Sequence, residues 1–247
     1  GITDYPVHIK IDTGMHRLGF DPLHDMDALI NRLKHQSAVI PRSVFSHFVG
    51  SDSDSFDDFS AHQFELFDKA SKQLQAAFKH KILRHIDNSA GIEHFPNRQL
   101  DMCRLGLGLY GIDSRNNEII HTVSTLKTTI LQLRRVPAGD TVGYSRKGTI
   151  DHDSIIAAIP IGYADGLKKY LSKGGYVLIN NHRCEIIGNI CMDMTMIRIP
   201  KEIQNSVKVG DEVTVIDADI IDSLNIPELC VWEFMTGIGR RVKRIIV

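Results

Sequence analysis

The chain has 247 residues, 43% of them hydrophobic, and a formal charge of −1 from 29 basic and 30 acidic side chains. That length holds one large domain or two modest ones. The even charge balance, with no basic stripe interleaved with aromatics, argues against a nucleic-acid partner, and no apolar run approaches the ~18 residues of a membrane helix.

Val7, Ile9 and Ile11 alternate with His8, Lys10 and Asp12, the period of a β-strand with one apolar face. Its other face carries an imidazole, an amine and a carboxylate, and Gly14 and Gly19 then flank Arg17 in a loop. This stretch reads either as one wall of a charged site or as a strand with a wetted face. Asp21-Pro22 starts a helix, with Leu23, Met26, Ile30 and Leu33 at helical spacing. Pro41 interrupts, and residues 43–48 read as a second strand. A polar link from Gly50 to Asp58 leads into a long amphipathic helix carrying Phe64, Phe67, Ala70, Leu74, Ala77 and Phe78. Residues 82–87 give a third strand and residues 100–104 a short fourth.

Strands separated by helix-length connections imply βαβ units and a parallel sheet. Each strand ends in polar chemistry: Asp12 with Arg17, then His47, then Asp87-Asn88-Ser89, then Arg104. Sites in α/β folds, and in (β/α)8 barrels above all, gather at the carboxyl ends of strands. The succession favours the charged site over solvated loops.

From about His121 the pattern changes to short strand-like runs at residues 123–136, 154–159, 176–179, 182–187, 192–199 and 213–217. Turn signals separate them at Pro137-Ala138-Gly139-Asp140, Gly174-Gly175, Asn180-Asn181 and Val209-Gly210-Asp211. A separate, mostly β domain is expected, with the boundary in the polar stretch near residues 112–121 and the domains at 1–118 and 119–247. Cys103, Cys184, Cys191 and Cys230 show neither CxxC spacing nor disulfide density, and no secretory signal is present, so a cytoplasmic setting is expected.

Gly106-Leu107-Gly108-Leu109-Tyr110-Gly111 matches GxGxxG, but no carboxylate lies about 20 residues on, as a dinucleotide fold wants. Glycines beside a strand end still let backbone N–H groups approach a phosphate, and a phosphate cradle is favoured over tight packing alone. Asp52, Asp54, Asp57 and Asp58 lack the glycine and distal glutamate of a calcium loop and read as helix-capping charge. His182, Cys184 and Cys191 lack zinc-ligand spacing, so no metal is expected. Tyr144 lies just past a glycine in a loop rich in cations, which would favour its phenolate and suit proton transfer; a lone tyrosine is more often a packing residue.

Residues 10–19 (Lys-Ile-Asp-Thr-Gly-Met-His-Arg-Leu-Gly), Ser46-His47-Phe48, Asp87-Asn88-Ser89-Ala90, the run from Arg104 to Gly111, Val142-Gly143-Tyr144, the run Ile161 to Gly166 and the run Gly188 to Asp193 together resemble the bacterial alanine racemase family, in its order and over nearly the whole chain. The resemblance implies the C-terminal half of a (β/α)8 TIM-type barrel followed by a mostly-β domain, in a head-to-tail homodimer using pyridoxal 5'-phosphate. It implies interconversion of L- and D-alanine through an aldimine by a two-base mechanism, supplying D-alanine for peptidoglycan. It places His47 beside the cofactor ring, Ser89, Gly106 and Leu107 at its phosphate with Asn88 in the same loop, and Arg104 at the pyridine nitrogen. Arg17 and the partner subunit's Met192 would hold substrate, the partner's Tyr144 would be one base, and Tyr163 would line the entrance. Lys10 matches a lysine that in many relatives is carbamylated and orients the arginine at the Arg17 position.

Two departures stand out. The family's Schiff-base lysine lies in an N-terminal Lys-Ala-Asn-Ala-Tyr-Gly-type motif that this sequence does not contain, and the chain begins at Gly1, as an excerpt or a processed protein would. This polypeptide alone is therefore expected not to racemise alanine. The family's phosphate-touching tyrosine corresponds here to Trp232, which offers an N–H but no hydroxyl. The rival readings are a barrel-type pyridoxal-phosphate decarboxylase, a racemase for another amino acid, and a non-catalytic half-barrel module.

Overall fold

The computed structural model describes residues 1–113, 115, 121, 123–216 and 231–246. The chain divides into two compact units, residues 1–120 and 121–247. In the first, β1 (Tyr5–Lys10), β2 (Val39–Phe45) and β3 (Leu83–His85) form a parallel sheet in the order β1-β2-β3. Helix α1 (Met26–Lys34) connects the first pair and α2 (Asp57–Ala76) the second, and a short α3 (Ser89–His94) follows β3. The alternation in β1 decides the packing. Ile9 and Ile11 join Val44, Met26, Leu29, Leu33, Phe67, Ala70 and Leu74 in one buried core. Each large apolar side chain buried there contributes about 1.5–3 kcal/mol relative to exposure.

Three expectations need correction. Helix α1 begins at Met26 rather than at Asp21-Pro22. The Asp21 carboxylate accepts the N–H groups of Leu23 (2.7 Å) and His24 (3.1 Å), so a local turn competes with the helix, and Leu23 stays 62% exposed. Pro41 lies within β2 rather than interrupting before it, opposite Val7 and beside the irregularity in register between Val7 and His8. Pairing with β3 starts only at Ser43, so Pro41 has a strand neighbour on one side alone, where a missing N–H is tolerated. Residues 100–104 are not a strand. Leu100 takes a left-handed φ of 56°, and the edge of β3 is met instead by Asp101 N–H to Arg84 O (3.1 Å), Arg84 N–H to Asp101 Oδ2 (2.9 Å) and Arg104 N–H to Asp87 O (3.1 Å).

The second unit holds β4 (Leu126–Thr129), β5 (Gln132–Val136), β6 (Thr141–Val142), β7 (Gly148–Thr149), β8 (Ser154–Ile159), β9 (Tyr176–Ile179), β10 (His182–Glu185), β11 (Thr195–Ile199), β12 (Glu212–Ile216) and a helix, α4 (Val231–Gly237). They form a sheet in the order β10-β9-β12-β4, a second in the order β11-β8-β5, and a β6-β7 ribbon. β8 and β9 have the expected bounds. The run at 123–136 splits into β4 and β5, which lie in different sheets, with Ile130 buried at the corner between them. Asn180 and Asn181 both take positive φ (48° and 62°), as a two-residue turn needs to join β9 to β10 with the right twist. Residue 217 and much of the expected boundary at 112–121 lie outside the described residues. Among the described residues no helix is long and apolar enough to cross a membrane.

Candidate active site

The carboxyl ends of β1, β2 and β3 organise the first unit's polar residues. One oxygen of Asp12, Oδ1, accepts the N–H groups of Gly14, Met15 and His16, each at 3.0 Å. Burial opposes its charge, but the bonds from His16, Gly14 and Met15 hold its pKa below the usual carboxylate range. The loop then returns to its own strand, with Asp12 N–H on Phe20 O and Phe20 N–H on Lys10 O, both at 2.9 Å. Gly19 makes that return possible, because it takes φ 134° and a Cβ there would stand 2.7 Å from Asp12 N. Arg17 is presented on this closed loop.

Arg104 is the hub beneath it. Its Nη1 donates to His85 Nδ1 (2.6 Å), and its Nη2 donates to Ser46 O (2.7 Å) and Ile86 O (3.0 Å), with His47 Nδ1 at 3.2 Å. A guanidinium has no acceptor, so both imidazoles must receive at Nδ1 and carry their protons at Nε2. His85 Nε2 then donates to Ser43 Oγ (3.2 Å), and Ser43 in turn donates to His8 Nδ1. Burial, followed by the charge of Arg104, pulls both His85 and His47 down to about 4; Arg17 and Lys10 add to the effect on His47, and His8 to that on His85. At neutral pH both rings are uncharged. Phe45 stacks on His85 with ring centroids 5.1 Å apart.

A second buried set ties α2 to the same strand ends. Gln63 donates to Thr13 Oγ1 (3.2 Å) and His47 O (3.1 Å), and its Oε1 accepts Val49 N–H (3.0 Å). Thr13 and Ser46 share a hydroxyl bond of 2.7 Å, and Ser46 donates onward to Ile11 O (2.9 Å). Asn88 caps α3 by accepting Gly91 N–H (2.9 Å) and also accepts from Ser51 (2.7 Å). Ser89 Oγ accepts Gly106 N–H (2.8 Å) and Gly108 N–H (3.2 Å). Leu107 opens the short turn that follows. The two N–H groups converge on the Ser89 hydroxyl, whose own hydrogen is left to donate.

Among the described residues, two of the buried side chains whose polar atoms find no hydrogen-bond partner lie at these strand ends. Lys10 Nζ makes no hydrogen bond, and burial lowers its pKa, helped by Arg17 and Arg104 and opposed by Asp12. Asp87 is fully buried with neither carboxyl oxygen bonded, and burial pushes it up to about 6 against the pull of Arg104 and Arg98. The folded chain therefore keeps a proton, between about pH 4 and 6, that the unfolded chain has released. Stability falls as pH rises through that window and stays lowered above it. Asp87→Asn is expected to gain about 3 kcal/mol at pH 8 and nothing at pH 4 in urea titrations; an equal change at both would exclude the charge as the cause.

The acidic run behaves as helix-capping charge. Ser53 caps the turn at Asp54–Phe56, and Asp57 and Asp58 open α2. Asp54 and Asp57 also approach His94 Nε2, at 3.4 and 3.2 Å.

In the second unit Tyr144, Tyr163 and Met192 lie on three linked loops. Tyr163 N–H donates to Cys191 O and Ala164 N–H to Met192 O, both at 3.0 Å, and Asn189 Nδ2 donates to Tyr144 O at 3.2 Å. All three side chains are exposed, Tyr144 at 71%. The Trp232 side chain lies outside the described residues. His85, Ser43 and Gln63 were not singled out from sequence. Of these only Gln63 left a local signal, as a polar residue four positions before Phe67 on the buried face of α2.

Residues 2–114 match the family model for the alanine racemase N-terminal domain, and residues 123–246 match that for the C-terminal domain. A curated alanine racemase of Fusobacterium nucleatum is 54% identical over 245 residues, 98% of this chain and 67% of that protein. A solved alanine racemase of Clostridium difficile 630 aligns with a TM-score of 0.81 at 31% identity, over 97% of this chain and 64% of that one. A Bartonella henselae alanine racemase with covalently bound pyridoxal phosphate gives 0.79 at 29% identity, over 98% and 66%. The chain thus spans about two thirds of the length of these relatives.

Proposed function

We propose that this chain, which belongs to the alanine racemase family, supplies the cofactor and substrate residues of a cytoplasmic enzyme that interconverts L- and D-alanine with pyridoxal phosphate and feeds peptidoglycan synthesis. The observation that carries the reading is the juxtaposition, at one set of strand ends, of the Arg104 hub, the neutral His47 ring and the Ser89–Gly106–Gly108 cluster. Those donors fit the cofactor: the Ser89 hydroxyl, held by two glycine N–H groups, keeps a hydrogen for a phosphate oxygen, and the hub suits an acceptor nitrogen.

When bound, pyridoxal phosphate supplies the electron sink that acidifies the Cα–H of an amino acid. Arg104 offers donors only and keeps its proton, so it orients an acceptor without protonating it. With His47 and His85 both neutral, no imidazolium is present at neutral pH to do so instead. This restraint suits a racemase, which must return the proton and avoid side reactions. Arg17 binds the substrate carboxylate from its Asp12-pinned loop, and Lys10, as a carbamate, steadies that guanidinium. The low-pKa, unpartnered amine of Lys10 supports the assignment. Tyr144 and Met192 reach the site from the partner subunit of a head-to-tail homodimer, Tyr163 lines the entrance, and Trp232 takes the place of the phosphate-side tyrosine. Tyr144 moves the proton on one face of Cα, and the family's Schiff-base lysine serves the other. The domains divide at 118/119.

The test is a circular-dichroism racemisation assay on the cofactor-loaded full-length enzyme, which carries the Schiff-base lysine segment, with L- and D-alanine as substrates and lysine, serine and ornithine as competitors. Conversion of alanine in preference to all three is expected, together with a raised KM and unchanged cofactor absorbance in Lys10→Ala. Preference for a competitor, or release of carbon dioxide, would replace the reading with another racemase or a decarboxylase.

A further inference from the structure

Arg241 stands outside the residues assigned above, just past α4. Its Nη2 donates to Asp193 Oδ1 at 2.7 Å, and its Nε lies 3.4 Å from Asp165 Oδ1. Asp193 follows Met192 directly, and Asp165 closes the turn that begins at Tyr163. We infer that Arg241 is a positioning residue: through this carboxylate–guanidinium–carboxylate bridge it fixes the Met192 loop against the Tyr163 loop and so sets the width of the substrate entrance. The role at the entrance rests on the proposed placing of Met192 and Tyr163 beside substrate.

The geometry on each side of the bridge differs. On the Tyr163 side the C-terminal segment is held without Arg241. Gly239 N–H donates to Asp165 O at 2.7 Å, and Gly166 takes φ 111°, with Gly237 O only 2.4 Å from where a Cβ would stand. Asp165 is itself 8% exposed, and its Oδ2 accepts Gly162 N–H at 2.9 Å, which fixes the carboxylate that faces Arg241. Arg244 stiffens the same segment by donating to Ile238 O (2.8 Å) and Val242 O (2.7 Å). Asp193, by contrast, is half exposed, and the guanidinium is what joins it to this anchored segment.

The two loops meet at the bonds from Tyr163 N–H to Cys191 O and from Ala164 N–H to Met192 O. They approach so closely there that a Cβ at Gly162 would come within 2.3 Å of Met192 O. Thr195 Oγ1 also donates to Ile161 O at 2.7 Å at the base of the two loops; the bridge at Asp193 adds an attachment on the exposed side, next to Met192. A half-exposed ion pair adds little to global stability, so the consequence is local.

Amide hydrogen exchange at Tyr163 and Ala164, measured with the thermal midpoint and steady-state kinetics on the cofactor-loaded full-length enzyme, tests the inference. Arg241→Met is expected to speed exchange at both amides about tenfold, a local opening with little change in global unfolding. Substrate KM should rise about three- to tenfold with kcat changed less than about twofold, as for an effect on binding rather than on the chemical step. Asp193→Asn, which leaves the C-terminal segment intact, should reproduce both effects. Arg241→Lys, whose ammonium cannot span two carboxylates as a fork, should fall between. Unchanged exchange in Arg241→Met and Asp193→Asn overturns the inference. Faster exchange with an unchanged KM keeps the bridge and overturns the placing of Met192 and Tyr163 at the substrate.

Discussion

Arg104→Met is expected to lower the stability of the first unit by about 3 kcal/mol and to empty the protein of pyridoxal phosphate. The substitution keeps an unbranched side chain of similar length but removes every donor. Ser46 O, Ile86 O and His85 Nδ1 then lose the N–H groups that satisfy them. A buried acceptor stripped of its partner costs about 1–3 kcal/mol, and the half-buried position lets water recover part of the sum. The loss also frees His85 to adopt its other tautomer, so the Ser43–His8 extension loses its fixed polarity. Arg104→Lys keeps the charge, but a single ammonium cannot serve acceptors lying in several directions, so an intermediate loss is expected. Urea titration and the cofactor content of the purified protein read the two effects. A wild-type urea midpoint in Arg104→Met would mean that the hub is not what holds the strand ends together.

The second large effect is on turnover alone. Tyr144→Phe is expected to lower kcat in both directions by about a thousandfold, the usual scale for losing a positioned proton-transfer group. The fold and the cofactor absorbance should be unchanged, because the side chain is 71% exposed. Its backbone is heavily constrained. Gly143, Ser145 and Arg146 all take positive φ (78°, 57° and 52°), and Asn189 grips the Tyr144 carbonyl. Glycine takes such a φ freely, but Ser145 and Arg146 each cost conformational energy there, strain of the kind that clusters at functional sites and that supports a use for the presented phenol. In deuterated water the variant should still exchange the Cα proton of one enantiomer from the opposite face while conversion to the other nearly stops. A kcat within tenfold of wild type would remove Tyr144 from the proton path.

Much of the polar cluster on which the proposed site rests was legible because strand ends advertise it. The alternation of Val7, Ile9 and Ile11 fixed the buried face of β1, and Arg17, His47, Asn88 and Ser89 each follow a strand end, whereas Arg104 was reached through a strand that the structure does not contain. What escaped was the layer that holds them. Ser43 and His85 sit at ordinary strand positions, and their bond exists only because β2 and β3 place them side by side. No local pattern encodes such a pair. The strand read at 100–104 failed for a related reason. Its residues do run along β3, but a left-handed Leu100 and the Asp101 carboxylate replace part of the ladder. In the second unit one long apolar run concealed a corner, because Ile130 is as buried as a strand residue while its neighbours belong to two sheets. Hydrophobicity reports burial, and it does not report a change of direction.

The loop held by Asp12 has a thermodynamic consequence for ligand recognition. A flexible segment of that length would lose about 1–2 kcal/mol of conformational entropy per residue on becoming ordered around a small anion. Here Asp12 already binds three of its amides, and Phe20 returns the chain to β1 before any ligand arrives. Most of that entropy is therefore lost during folding, when the burial of Ile9 and Ile11 offsets it, and only the side-chain rotamers of Arg17 are left to be frozen on binding. For the single amino acid proposed as ligand, with few atoms to contribute affinity, a loop ordered in advance removes most of that cost from binding.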